Sequence, residues 1–520
     1  MSPGDLLDAG RAGPDLRSPA VNRRVVLILP TVVLALSGLL APLAPLTLPA
    51  AAASVDDPVK AQITAVMADP LVTASGTTVS TIVADGVDGH GIYLRNPTVA
   101  LVPASTTKLF TAAAGLHYLG SGYRWKTETW TWPMRAGGVV PGNLYLKGYG
   151  DPTLMERDLA AVAASYKAKG VTRIAGSVMA DTSFFDNVRY NPGWSTSYAS
   201  SYYAAQVSAL TLSPDTDYDA GTVVIGYSPG ATTGSRARVS VTPASAASYV
   251  RLVNNATTSS TGSSSVTVTR SSGSNTITLS GTVPRGAASG KRWVTVNDPG
   301  QLAATVLRAQ LVKAGIRVDG GVGTLSKTAG TVLYTTRSSM TLGQLLVPFL
   351  KLSNNGHAEV ITKTLGTRAG RAGNWADGTA LIKANTARYG IVTTGMNLVD
   401  GSGLSRSDRL TTLQMVQLVH RVQTESWFPT FKAALPVAGA DPVRWTGGTL
   451  ASRMRGTRAT NNLRAKNGDL TGVTSLAGYV TGADGRPYVF ATISSYSRSS
   501  PRPVEDRLGV LLAGWRSPGR

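Results

Sequence analysis

The string Pro103-Ala104-Ser105-Thr106-Thr107-Lys108 constrains this chain more than any other feature, because two further short polar elements follow it at long range. Ser353-Asn354-Asn355 begins 248 residues after Ser105, and Lys466-Asn467-Gly468 begins 113 residues after Ser353. Ser-x-x-Lys, then Ser-x-Asn, then Lys-x-Gly is the order in which a serine nucleophile served by a lysine base is assembled. Ser105 stands at the head of an apolar run, Thr106 to Leu119, that Gly120 stops. On a helix the serine and Lys108 lie one turn apart on one face, at the positive end. Taken singly, each element has a bland reading: a solvated helix start for the first, a helix start or turn for the second, a turn for the third. Their joint order favours chemistry.

Length and charge narrow the setting. A chain of 520 residues buries a large core and holds two or three domains. Fifty Lys and Arg stand against 29 Asp and Glu, a formal charge of +21, and this balance favours polyanionic surroundings. The basic residues are scattered and form no nucleic-acid recognition module, so anionic cell-wall polymers are the expected partners. Cysteine is absent, which excludes disulfides, thiolate chemistry and cysteine metal sites. The four histidines, His90, His117, His357 and His420, have no ligand spacing, so neither metal nor cofactor is expected. His357 lies near Ser-x-Asn in sequence, and a packing or surface role is expected for it.

An export signal opens the chain. Arg23-Arg24 precedes an uncharged stretch from Val25 to Val55 that ends in Ala50-Ala51-Ala52-Ala53-Ser54, where a small-residue cleavage site would sit. Residues 1–53 are therefore read as a signal peptide, with an uncleaved signal anchor as the alternative. Pro30, Pro42, Pro45 and Pro49 interrupt the stretch and favour cleavage, hence a secreted, wall-associated protein. The Sec route is expected, since the paired arginines match a twin-arginine signal only loosely.

Three zones follow. Residues 54–130 combine strand patterns at Thr78 to Val83 and Gly91 to Leu94 with the helix after Ser105. Residues 131–294 change to short alternating segments, such as Asn143 to Lys147, Arg236 to Val241 and Val266 to Thr269, and read as an inserted β-rich zone. From 295 to 520 helices return, at Pro299 to Ala314, Thr341 to Leu352, His357 to Leu365 and Thr411 to Gln423. Strand patterns then run from Thr474 to Thr481 and from Tyr488 to Ser494, before a last helix from Val504 to Trp515.

Several longer stretches carry a resemblance: Gly142 to Leu154 (GNLYLKGYGDPTL), Gln206 to Leu210, Asp400 to Arg406 (DGSGLSR) and Leu470 to Val480. With the three polar elements, they make everything after the signal resemble the D-alanyl-D-alanine carboxypeptidase/endopeptidase family, the low-molecular-mass class C penicillin-binding proteins. The resemblance implies an α/β transpeptidase-like domain, related to β-lactamases, with an antiparallel sheet flanked by helices and interrupted by accessory β-rich domains. It implies peptidoglycan stem peptides as substrate and β-lactams as ligands. Ser105 would be the nucleophile and Lys108, kept neutral by desolvation, its base. Ser353 would pass a proton to the leaving nitrogen, Asn355 would hold the substrate amide and orient Lys108, and Lys466 would supply positive charge. The backbone amides of Ser105 and Asp469 would form the oxyanion hole, and Gly468 would let substrate lie close to the strand. Arg406 would approach the pocket for the terminal carboxylate, and Trp194 would match an aromatic of an accessory pocket.

Two departures temper this. Lys466-Asn467-Gly468-Asp469 replaces the family's two hydroxyls, so Asp469 is expected to repel a substrate carboxylate unless Arg406 neutralises it. Ser195-Thr196-Ser197 replaces acidic residues that often follow the aromatic, which weakens recognition of a side-chain amine. Two other readings stay open: a β-lactamase or esterase with altered carboxylate recognition, and a catalytically weak wall-binding homologue.

Overall fold

The computed structural model describes residues 56–517, so the expected signal peptide lies outside the described residues. Its centre is a five-stranded antiparallel sheet in the order Arg464–Leu470, Val473–Thr481, Pro487–Tyr496, Thr77–Asp85, Gly91–Arg95. The two ends of the chain thus complete one sheet, and everything between Arg95 and Arg464 is folded around or inserted into it. Alternation sends each strand's side chains to two different cores. Ile82, Ala84, Ala477, Tyr479, Ala491 and Ile493 face one core, and Val79, Val83, Leu476, Val480, Tyr488 and Phe490 face the other. Both faces are covered, which is why these strands read as nearly continuous apolar runs.

On the first face pack the helices Lys108–Leu119, Leu342–Lys351, Asn355–Gly366 and Thr412–Arg421. Helices Asp57–Met67 and Arg502–Gly514 cover the second. The nucleophile helix is almost wholly buried along its first nine residues, Lys108 to Leu116. It ends as expected at Gly120, whose φ of 84° suits a residue without Cβ. Helix Trp375–Arg388, absent from the expected elements, packs beside Asn355–Gly366.

The inserted part has a core of its own, built from residues between Val140 and Val318. Its sheets include a five-stranded one in the order Val322–Thr324, Val178–Asp181, Leu144–Gly148, Arg124–Thr131, Val332–Thr341. Two helices, Glu156–Ala168 and Pro299–Lys313, join this core through Leu159, Val162, Tyr166, Leu302, Val306 and Leu307. The first is a helix inside the zone read as β-rich, and the second carries the inserted core beyond residue 294. On this packing we propose the inserted body as residues 124–341. Among the described residues no helix is long and apolar enough to cross a membrane.

Candidate active site

Ser105 sits in a tight turn, Ala104–Thr107, that leads directly into the helix beginning at Lys108. The turn is clamped to the central sheet: Ser475 Oγ donates to Pro103 O at 2.7 Å, and Thr106 Oγ1 donates to the same carbonyl at 2.7 Å. Ala104 adopts φ 49°, an unusual value for a residue with Cβ, and Gly403 backs it so closely that a Cβ there would lie 1.8 Å from Ala104 O. Ser105 is thereby held against the edge strand Arg464–Leu470. A Cβ on Gly468 would meet Ser105 N at 2.9 Å and Pro103 O at 2.8 Å. Gly468 thus admits the nucleophile turn itself, in addition to the substrate role expected of it.

Lys108 is fully buried, and its Nζ has three oxygen neighbours: Ser105 Oγ at 2.8 Å, Asn355 Oδ1 at 2.6 Å and Ser402 O at 2.8 Å. The amide and the carbonyl oxygens can only accept. A neutral amine has two N–H bonds and one lone pair, so the two acceptors take the N–H bonds and the lone pair is left for the Ser105 hydroxyl. Burial pushes the Lys108 pKa down to about 7, against the pull of Asp400, Glu359 and Asp408. A large share of the side chain is therefore neutral at physiological pH.

Asn355 opens its helix behind the N-cap Asn354, whose Oδ1 accepts from His357 N at 3.0 Å. Asn355 Nδ2 donates to Tyr203 O at 2.8 Å, which fixes the amide with its oxygen on Lys108. The orienting part of its expected role thus has a contact here, and its amide hydrogen is engaged by the inserted body. Ser353, with φ 57°, lines the same cleft as Ser105. His357 is buried, bonded through Nε2 to Tyr218 O at 2.9 Å, and burial pushes its pKa down to about 4, which suits the expected packing role.

The cleft encloses about 400 Å³ and is lined by Ser105, Ser353, Asn355, Asn467, Asp469 and three tyrosines, Tyr198, Tyr202 and Tyr203. Sequence reasoning missed the tyrosines. Their clustering in the short segment Tyr198 to Tyr203, close after Trp194, was the available signal. Trp194 is not on the cleft: it is 5% exposed, packs on Tyr190 and Trp375, and its Nε1 donates to Asp400 Oδ2 at 2.8 Å. Its amphipathic ring is consumed by the core and by a buried carboxylate, so a direct substrate contact is corrected to a supporting one.

On the edge strand Lys466 is fully buried, with Nζ donating to Asn467 O at 2.6 Å, and burial and the nearby Lys108 push its pKa well down. Asn467 Oδ1 accepts from Thr449 Oγ1 at 2.6 Å, which brings a hydroxyl into the cleft beside the position where the family hydroxyl is missing. Asp469 is not left bare. One carboxylate oxygen pairs with Arg502 and the other accepts from Asn467 Nδ2 at 3.3 Å. Arg406, the residue expected to neutralise it, instead donates to Thr471 O at 2.6 Å across the strand turn. Asp85, Asp88 and His90 gather at the turn between the strands Thr77–Asp85 and Gly91–Arg95, but Arg486 already pairs with Asp85.

The chain resembles known proteins in sequence and in fold. The model of the D-Ala-D-Ala carboxypeptidase 3 (S13) family matches residues 59–514. The chain is 37% identical over 486 residues to a D-alanyl-D-alanine carboxypeptidase of Actinomadura sp. (strain R39), covering 91% of this chain and 89% of that one. It is 25% identical over 413 residues to the D-alanyl-D-alanine carboxypeptidase DacB of Haemophilus influenzae, covering 77% and 82%. Its fold is similar to the crystal structure of penicillin binding protein 4 (dacB) from Haemophilus influenzae, with a TM-score of 0.74 at 23% identity, over 87% of this chain and 99% of that one.

Proposed function

The chain belongs to the D-Ala-D-Ala carboxypeptidase 3 (S13) family and is a serine-type carboxypeptidase, and from this premise we propose that Ser105 is its nucleophile and Lys108 its base. The observation that carries the assignment is the set of three neighbours around Lys108 Nζ, two of them acceptor-only, which aims the amine's lone pair at Ser105 Oγ. In acylation Ser105 Oγ bonds to the carbonyl carbon of the penultimate D-alanine, its proton passes to Lys108, and the carbonyl electron pair moves onto oxygen. Ser353 then delivers a proton to the departing D-alanine nitrogen as its bond to the carbonyl carbon breaks, and Lys466 holds the edge strand beside the site through its contact to Asn467 O. Water releases the acyl group.

Peptidoglycan stem peptides are the substrate, and β-lactams acylate the same serine. The similar Haemophilus protein is also described in complex with a β-lactam. The Arg502 contact to Asp469 weakens the one argument for a catalytically impaired homologue. Incubation with a penicillin should add the mass of one drug molecule to the protein, and a D-Ala-D-Ala peptide should release D-alanine. Ser105→Ala that still gains the drug mass would overturn the nucleophile assignment.

This activity goes with an extracytoplasmic location and with retention at anionic wall polymers by charge. A secreted form whose N-terminal sequence begins near Ser54, and which salt releases from walls, is expected. Recovery of a membrane-bound form that keeps Val25 to Ala53 would contradict the export reading.

A further inference from the structure

The loop that follows Val399 contains a buried carboxylate in contact with the base through a single peptide group. Asp400 is fully buried, and its carboxylate accepts four hydrogen bonds. Oδ1 accepts from Ser402 N at 3.1 Å and Gly403 N at 2.7 Å, and Oδ2 accepts from Ser405 N at 2.7 Å and Trp194 Nε1 at 2.8 Å. The Gly403 N–H and the Ser402 C=O belong to one planar peptide. That carbonyl is the oxygen 2.8 Å from Lys108 Nζ. Carboxylate, peptide and amine therefore form one hydrogen-bonded line, in which a charge on the carboxylate polarises the N–H and increases the negative charge on the carbonyl oxygen.

The need for such a charge follows from burial. When Lys108 takes the Ser105 proton it becomes an ammonium with no access to water, and a buried ion requires a partner. Two other carboxyls lie near, Glu359 on the helix Asn355–Gly366 and Asp408 on the same loop as Asp400. Glu359 Oε2 accepts from Trp375 Nε1 at 2.7 Å and Gly401 N at 3.1 Å, whereas its Oε1 has no partner. Burial and the charge of Asp400 push both groups upward toward their neutral acid forms. Of the three, Asp400 alone has donors on all sides, which suits the ionised form. The remaining charged or titratable groups that face Lys108 are Lys466 and the buried, neutral His357.

We propose that Asp400 is the positioning residue and counter-charge of the acylation base, acting on Lys108 through the peptide between Ser402 and Gly403. It holds the amine on Ser105 before attack and stabilises the ammonium formed as the serine oxygen bonds to the substrate carbonyl carbon. Trp194 is the arm by which the inserted body fixes that carboxylate. The proposal rests on the reading of Ser105 as nucleophile and Lys108 as base.

The test is the pH profile of penicillin acylation in the full chain, measured with a fluorescent penicillin. Asp400→Asn removes the charge in the same shape. It should slow acylation at neutral pH by about a hundredfold and move the acid limb of the profile to lower pH, because the neutral amine is favoured once its counter-charge is gone. Trp194→Phe removes one donor from the carboxylate and keeps the ring; by disfavouring the ionised form it should slow acylation several-fold and move the limb to lower pH, by less than Asp400→Asn. Glu359→Gln removes a carboxyl that burial pushes up to about 7 and that does not share the Ser402–Gly403 peptide, so its limb should move less than that of Asp400→Asn. Displacements to lower pH in both of the first two variants, the smaller in Trp194→Phe, with near-native circular dichroism, carry the proposal. If Asp400→Asn does not fold, the displacement in Trp194→Phe decides alone.

An unmoved limb in Asp400→Asn and Trp194→Phe, or a limb displaced as far by Glu359→Gln as by Asp400→Asn, would overturn it. Ser105→Ala, run in parallel, separates the two readings. Acylation of that variant removes the nucleophile assignment and this proposal with it, whereas an inert Ser105→Ala beside an unmoved Asp400→Asn limb removes only the proposal.

Discussion

Arg502, the first residue of the C-terminal helix, pairs its guanidinium with Asp469 on the edge strand of the central sheet. A substrate carboxylate approaching Asn467 therefore meets a paired acid with a cation beside it. The two side chains are 45% and 39% exposed, so the pair is screened and its effect modest. Arg502→Gln should lower the second-order rate of penicillin acylation by about two- to fivefold at low salt. The loss should shrink at high salt and vanish in an Asp469→Thr background. A stopped-flow double-mutant cycle on these two positions measures it, and additive losses would mean that the pair has no part in carboxylate recognition.

Lys108→Met keeps the volume of the base and removes its amine. Acylation should fall by roughly a thousandfold or more, since general-base help is lost and no histidine is placed to replace it. The melting temperature should hold or rise, because a fully buried amine is replaced by an apolar chain. Calorimetry beside intact-mass labelling checks both halves. Retained labelling would point to another base.

Much of this was legible beforehand, and the exceptions have physical causes. The helix after Ser105 and the closing strands announced themselves through strong apolar runs. Helix Glu156–Ala168 also carried its signal, with Leu159, Val162, Ala163 and Tyr166 at helical spacing, but it lies among strand-like segments that set the reading of the whole zone. Helix Trp375–Arg388 buries Trp375 and Ile382, but the other buried positions, Gly378, Thr379, Asn385 and Thr386, are small or polar and break up the hydrophobic period. At the site, Ser105, Lys108, Ser353 and Asn355, the residues proposed for the chemistry, stand out in the sequence because short motifs encode them. Arg502 lies 33 residues from Asp469 in sequence and belongs to no motif, so only the folded chain discloses it. Trp194 was singled out for its ring, yet its position depends on Asp400, which is 206 residues away.

The buried lysines set a pH dependence of stability. The Lys108 pKa is pushed down to about 7 and that of Lys351 to about 8, and Lys466 moves in the same direction, all chiefly by burial. Between their folded and unfolded values the unfolded chain binds more protons, so stability rises with pH through that window. The cost is fully present below the folded values and disappears as pH approaches the unfolded value near 10. Lys108 alone should contribute about 1 to 3 kcal/mol between pH 7 and 9. The midpoint of guanidinium unfolding should therefore move upward from pH 7 to pH 9. Lys108→Met should flatten the rise, and a midpoint that falls over this range would show that these amines are hydrated.

Gly468→Ala tests the packing that places the nucleophile. The added methyl would sit 2.9 Å from Ser105 N, 2.8 Å from Pro103 O and 2.3 Å from Ser475 Oγ. Two of these atoms are backbone, and Ser475 Oγ is tied to Pro103 O, so none can swing aside without moving the turn. Relief requires the edge strand and the Ser105 turn to separate by a few tenths of an ångström or more. Both oxyanion amides proposed for the site, those of Ser105 and Asp469, flank this contact. A shift on that scale should cost about tenfold or more in acylation, with a smaller effect on noncovalent penicillin affinity, because the amides act on charge that develops only in the transition state. Rapid-mixing kinetics that separate the binding constant from the acylation rate constant give the answer. A variant that loses affinity and keeps its rate constant would place Gly468 in substrate docking and leave the nucleophile turn unaffected by the strand.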